Sequence, residues 1–159
     1  MIHIFIGTKA QYIKTAPVCR ELARRNVTYR LIDSGQHRGL SDALRATFRL
    51  PTPDIALRAS CANLSSVPEL LGWFSHWMYR ATFRPRHVRR RIFSDAPGLC
   101  VVHGDTLTTL LSCYLARRAG LRVAHLEAGL RSRSWWHPFP EEIIPALRRS
   151  FRRSPAMRT

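Results

Sequence analysis

Acidic residues are scarce in this sequence. Ten Asp and Glu stand against 26 Lys and Arg, a formal net charge of +16 over 159 residues. Lysine is scarcer still: only Lys9 and Lys14 are Lys, and every other basic residue is Arg. A nucleic-acid surface usually mixes the two types, because either cation neutralises a phosphate. The skew points instead to the codon usage of a GC-rich genome. No run of 18 uncharged apolar residues occurs, which excludes a membrane-spanning helix. The four cysteines, Cys19, Cys61, Cys100 and Cys113, form no CxxC pair, so no zinc site is indicated. Internal repeats, a low-complexity linker and a signal peptide ahead of the first apolar run are all lacking. A reducing cytoplasm is therefore expected.

What is present is an ordinary globular composition, 45% hydrophobic and 23% charged. One domain is expected at this length, and a chain of that size buries about 68–70% of its unfolded surface. The cationic charge is uneven. Six Arg fall within Arg80–Arg91 and five within Arg148–Arg158, while no acid follows Glu142. No nucleic-acid motif accompanies the first cluster, so a solvated helix face is the expected reading and no specific nucleic-acid partner is indicated.

Apolar, β-branched runs at Met1–Ile6, Val27–Ile32, Leu99–His103 and Arg122–Leu126 read as strands. Helical periodicity covers about 10–25, Asp42–Phe48 and Leu107–Ala119, the last closed by Gly120. Residues 50–63 look irregular. Ser66 before Val67-Pro68-Glu69 is a helix start. Leu70, Phe74 and Trp77 form its stripe, with Pro85 expected to interrupt the helix before the Arg run. Trp73, Phe74, Trp77 and Met78 are expected to pack on a sheet rather than on a membrane surface. His3, His76 and His87 read as structural or surface groups.

Strands alternating with helices predict a parallel α/β sheet, and such sheets bind ligands beyond the carboxyl ends of their strands. Three exits from apolar strands are polar or glycine-rich: Gly7-Thr8-Lys9, His103-Gly104-Asp105-Thr106, and Glu127-Ala128-Gly129-Leu130-Arg131. With Glu141 they supply three carboxylates, Asp105, Glu127 and Glu141, of the kind that divide into acid and base when they share a cleft. Lys9, Lys14 and Arg131 supply cations for an anionic substrate, and Gly7 and Gly104 allow close backbone approach. Spacing alone leaves a second reading open, in which Asp105 caps the helix beginning near Leu107 and Glu141 is a solvated acid.

The strings themselves go further. Gly7-Thr8-Lys9-Ala10-Gln11-Tyr12-Ile13-Lys14-Thr15-Ala16-Pro17, Val102-His103-Gly104-Asp105-Thr106-Leu107-Thr108-Thr109, and His125-Leu126-Glu127-Ala128-Gly129-Leu130-Arg131 with Pro138-Phe139-Pro140-Glu141-Glu142 resemble, in order and spacing, the signatures of the UDP-N-acetylglucosamine 2-epimerase family. The resemblance covers residues 1–143. It implies a Rossmann-like parallel sheet with helices on both faces, the N-terminal half of a GT-B-type two-domain fold whose active site lies between the domains.

The activity it implies is elimination of UDP across C1–C2 of UDP-N-acetylglucosamine. UDP then re-adds after protonation on the other face to give the mannosamine epimer, or water replaces it in hydrolysing members. By resemblance Asp105, Glu127 and Glu141 are the catalytic carboxylates, with acid and base unassigned. Gly7, Lys9, Lys14, His103 and Arg131 would meet substrate, Lys9 standing where many members have Arg. Gln36 and His37 match a loop that holds a second, activating UDP-sugar in some members, although Gly39 replaces a glutamine used there. No metal or cofactor is implied. The implied partners are the UDP-sugar and either a second copy or a body carrying the C-terminal domain.

Past Ile143 the family's usual Thr-Arg-Arg or Asn-Arg does not follow. Residues 144–159 are a basic tail outside the pattern. One T inserted into ATC ACC CGG CGC, a coding of Ile-Thr-Arg-Arg, gives Ile-Ile-Pro-Ala, the residues at 143–146. A frameshift or truncation is thus expected, with little activity from the isolated half. Two other classes remain: a half-domain subunit working with a separate nucleotide-binding partner, and a non-catalytic basic binding protein.

Overall fold

The computed structural model describes residues 1–35, 38–58 and 66–127, with the backbone alone for residues 38–41. In chain order the elements are β1 (Ile2–Ile6), α1 (Lys9–Arg24), β2 (Tyr29–Asp33), α2 (Arg38–Phe48), β3 (Ile55–Ala56), α3 (Val67–Phe83), α4 (Pro85–Phe93), β4 (Leu99–His103), α5 (Leu107–Arg118) and β5 (Arg122–Leu126). The five strands form one sheet in the order β3-β2-β1-β4-β5. Every pairing is parallel, with Ile4 opposite Leu31 on one side and Val101 on the other.

β1 is apolar on both faces because both are covered, as parallel sheets require. Ile4 and Ile6 point into a cluster with Tyr12, Cys19, Leu31 and Val101, under α1. Phe5 points the other way, into a cluster with Trp77, Ile92, Phe93, Val102 and Leu111, under α3, α4 and α5. The expected Rossmann-like sheet with helices on both faces is therefore the observed architecture.

Local differences have local causes. The stretch that reads as irregular contains the two-residue strand β3, too short to leave a periodic pattern. It is pinned by Asp54, whose Oδ2 accepts from the Leu31 amide at 2.8 Å while its own amide donates to the Leu31 carbonyl at 2.9 Å. β2 starts at Tyr29 rather than Val27, because Ile2, the first residue of β1, pairs with Tyr29. The backbone of α2 is helical from Arg38, ahead of the expected Asp42. The break before Pro85 is as expected: α3 stops at Phe83, Arg84 leaves helical geometry, and Pro85 opens α4, where its missing N–H costs nothing. Trp77 is buried, with Trp73, Phe74 and Met78 packed partly against the same core. Among the described residues no helix is long and apolar enough to cross a membrane.

His3 is sealed in the core. It is fully buried, its ring edge-on to Phe93 with centroids 5.3 Å apart. Burial lowers its pKa, and the Arg30 guanidinium pushes the same way. The unfolded chain then binds more protons than the folded one between the depressed value and the ordinary value of about 6.5. The stability that depends on neutral His3 is complete above about pH 6.5 and is lost as pH falls through the folded value. The urea midpoint should fall on acidification through this window, and His3→Phe should flatten the dependence. An unchanged slope in that variant would contradict the assignment to His3.

Candidate functional site at the strand exits

β1 and β4 are neighbours in the sheet, but the helices that follow them cover opposite faces. Their carboxyl ends therefore diverge and leave a crevice, the place where open α/β sheets take ligands. The lip on one side is Gly7-Thr8-Lys9, and on the other His103-Gly104-Asp105-Thr106. Gly7 is confined: a Cβ there would run into the Ser34 hydroxyl and the Thr108 methyl. Gly104 needs glycine for a different reason, its φ of +76°.

Both helices are capped at this edge. The Thr8 hydroxyl accepts from the Gln11 amide at 3.4 Å, and the Thr8 amide donates to Gln11 Oε1 at 3.1 Å, a reciprocal capping box. Thr106, not Asp105, caps α5 by accepting from the Thr109 amide. That corrects the expectation that Asp105 is spent as a cap. Asp105 lies two residues ahead of the first residue of α5 and is partly exposed at this edge.

Gln11 joins the two lips. From its buried position its Nε2 donates to the His103 carbonyl at 2.9 Å, to Thr109 Oγ1 at 2.9 Å and to Thr106 Oγ1 at 3.2 Å. Thr109 Oγ1 donates to the same His103 carbonyl at 2.8 Å. On the β2 side Tyr12 donates to Asp33 Oδ2 at 2.9 Å, while Asp33 Oδ1 accepts from the Gly35 amide at 2.8 Å. Sequence reasoning missed Gln11, Thr106 and Thr109 as site-builders. The Thr8-x-x-Gln11 spacing was the signal for the first of them.

The groups above this frame are charged. Lys14 Nζ donates to Glu127 Oε2 at 2.7 Å. His103 Nε2 lies 3.1 Å from that oxygen, off the line of a hydrogen bond, so the contact is electrostatic in kind. His103 is buried, whereas Lys14 and Glu127 are partly open to solvent. The Lys14 ammonium holds the Glu127 carboxyl below the usual glutamate range against the opposing effect of desolvation, with the His103 ring adding a smaller pull in the same direction as Lys14. Glu127 has a φ of +60°. The structure thus brings Lys14, His103 and Glu127 into contact, with Gly7, Lys9 and Asp105 at the same edge. Glu141, Arg131, Gln36 and His37 lie outside the described residues. An ionised carboxylate, an adjustable ammonium and an imidazole beside two helix N-termini can hold an anion and move a proton next to it.

The sequence profile of the UDP-N-acetylglucosamine 2-epimerase family matches residues 20–150. The UDP-N-acetylglucosamine 2-epimerase of Campylobacter jejuni is 31% identical over 143 residues, covering 89% of this chain and 34% of that protein. The crystal structure of the Neisseria meningitidis enzyme bound to UDP-GlcNAc superposes with a TM-score of 0.67 at 30% identity, over 89% of this chain and 36% of that one. The Methanocaldococcus jannaschii enzyme in complex with UDP-GlcNAc and UDP superposes at 0.65 and 27% identity, over 82% and 33%. The chain thus spans about a third of the length of the curated relatives it matches.

Two outcomes test this geometry. Gln11→Leu leaves the His103 carbonyl and two threonine hydroxyls short of a buried donor, and should cost about 1–3 kcal/mol of stability in chemical denaturation. A loss no larger than that of an exposed α1 substitution would show that the amide does not bridge the lips. In a carbon-detected NMR titration Glu127 should lose its proton below the ordinary glutamate range. Lys14→Met should move that midpoint up, and an unmoved midpoint would contradict the ion pair.

Proposed function

The chain belongs to the UDP-N-acetylglucosamine 2-epimerase family, and from that premise we infer that its strand exits form the sugar- and diphosphate-facing wall of a UDP-N-acetylglucosamine 2-epimerase site. The observation that carries this reading is the Lys14–Glu127–His103 cluster at the crevice beside β1 and β4. In the reaction the C2 proton passes to a carboxylate and the C1–O electron pair leaves with UDP, forming a 2-acetamidoglucal. Protonation of C2 on the opposite face, with UDP re-adding at C1, gives the C2 epimer, and attack of water at C1 in place of UDP gives the hydrolysing variant. Asp105, Glu127 and Glu141 are assigned the proton transfers. Lys9 and Lys14 are assigned to the diphosphate, His103 and Arg131 to the sugar, and Gln36 and His37 to a second UDP-sugar.

The ion pair adds a sequence of events. A diphosphate entering the crevice competes for Lys14, and Glu127 then loses the cation that depresses its pKa. The carboxylate becomes a stronger base when substrate is present. Positioning is a large share of such catalysis, and one wall cannot supply it, so residues 1–143 need a second, UDP-holding body. The remaining residues, 144–159, are assigned no part in the site. The thiols of Cys19 and Cys100, buried and outside any disulfide, support a reducing cytoplasm as the place of work.

The test is a chimera in which residues 1–143 replace the matching part of the Campylobacter jejuni relative. It should convert UDP-N-acetylglucosamine to UDP-N-acetylmannosamine or free N-acetylmannosamine. Glu127→Gln should lower turnover by about 10²–10⁴-fold. The 159-residue chain alone should give no product. A chimera that binds UDP but is inert, or full turnover by the Glu127→Gln form, would sink the assignment.

A further inference from the structure

The side chains of β5 divide between the two faces of the sheet. Val123 packs with the cluster under α3, α4 and α5, while Ala124 and Leu126 pack with the cluster under α1. Strand alternation therefore sets the His125 ring on the α5 face, beside Val123. Alternation alone would set Glu127 there too, but its left-handed backbone turns that side chain over to Lys14 and His103. From the α5 face His125 Nε2 reaches the Gly104 carbonyl at 2.5 Å. A carbonyl only accepts, so the imidazole donates and carries a proton on Nε2. Protonation of the ring adds a proton at Nδ1 and leaves this donor in place.

The bond lies beyond the last paired residues of the two strands, His103 and Leu126. It joins β5 to the loop that leaves β4. Gly104 is where that loop turns, with a φ of +76°, and a Cβ there would meet nothing within 4 Å. Packing does not pin the turn, so hydrogen bonds must. The His103 carbonyl accepts from Gln11 and Thr109, the Gly104 carbonyl accepts from His125, and Thr106 caps α5. Asp105 is carried between these anchored points.

We propose that His125 is a positioning residue: by holding the Gly104 carbonyl it fixes the backbone that presents Asp105, and it ties that backbone to the β5 exit that presents Glu127. The role of the two carboxylates rests on the epimerase reading, whereas the anchor itself does not. A proton removed from one face of C2 and returned on the other needs its acceptor and donor held at a set separation. Small errors in such placement are costly, about 10²-fold for 1 Å. Asp105 and Glu127 leave from neighbouring strands, and His125 bridges the two exits.

Three substitutions separate the donor from the ring. His125→Gln puts an amide N–H where Nε2 stands. His125→Asn puts it nearer the backbone, at the level of Nδ1, short of the carbonyl. His125→Phe keeps a ring and removes the donor. In the full 159-residue chain at about pH 8, above the ordinary histidine value, long-range proton–nitrogen NMR should find the His125 proton on Nε2. The Gly104 and Asp105 amide signals should stay in place in the Gln form and move together in the Asn and Phe forms. In the Campylobacter jejuni chimera, Asn and Phe should lower kcat by about 10²-fold with KM nearly unchanged. Gln should restore most of the loss with the same pH profile, which a proton-shuttling histidine would not allow. An inert unsubstituted chimera would sink the epimerase reading, while the NMR result decides the anchor by itself. A proton on Nδ1, amide signals indifferent to Phe, full kcat in the Asn or Phe form, or a Gln form no better than Phe would each overturn the proposal.

Discussion

A single buried amide holds the crevice in shape. Gln11 closes the capping box of α1 with its oxygen, and its nitrogen reaches the last carbonyl of β4, the capping Thr106 and Thr109 in the first turn of α5. Two helices on opposite faces of the sheet are thereby fixed to each other at their N-termini. The β4 carbonyl of His103 accepts from both Gln11 and Thr109, so the amide supplies one of two buried donors there, and losing it leaves part of that group's hydrogen-bonding capacity unmet. Lys14 on α1 and His103 on β4 project from elements this amide ties together, and Glu127 follows β5, the neighbour of β4 in the sheet.

Much of this was legible in the chain before its structure, for a physical reason. A parallel strand buried on both faces must be apolar throughout, so the polar residues after Ile6, Val102 and Leu126 stand out against their neighbours. β4 and β5 run over the residues that their apolar pattern marks. The boundaries that moved, at Tyr29 and Arg38, are set by pairing and packing partners distant in sequence, which no local pattern encodes. β3 has two residues and depends on the Asp54 clamp, so it has no periodicity to detect. At the site, composition drew attention to the carboxylates and cations, while Gln11, Thr106 and Thr109 passed as ordinary helix residues. Their role is to satisfy one another, and that becomes visible only when the helices meet. The choice between Asp105 and Thr106 as cap is a one-residue question that φ and ψ decide.

The scarcity of lysine takes on meaning at this edge of the sheet. Both lysines of a chain with 26 basic residues fall on α1, on the two turns nearest the crevice. Arg is a fixed planar fork that keeps its charge, whereas Lys is a compact ammonium that rotates and can change partners. Lys14 shares one carboxylate oxygen with a histidine in the space of a single contact, and a guanidinium would demand a wider one. Elsewhere Arg suffices, as in the exposed pairs of Glu21 with Arg24 and Arg25 on the solvent side of α1, where surface ion pairs contribute little.

Backbone conformation singles out Glu127 in a different way. Five described residues other than glycine have positive φ: Asn26, Arg49, Ser94, Asp95 and Glu127. The first four follow the ends of α1, α2 and α4, where a left-handed residue completes the turn out of a helix. Glu127 ends a strand, where no such termination calls for it, and glycine would adopt the conformation at lower cost. A side chain kept at a left-handed position is kept for where it points, and here it points at Lys14 and His103. The strain and the ion pair therefore support each other. The backbone delivers the carboxylate to the crevice, where the Lys14 ammonium meets it. In the proposed reaction an anionic ligand draws Lys14 away, and the same turn then holds Glu127 in place without its counter-charge, ready for the proton-accepting role proposed for it.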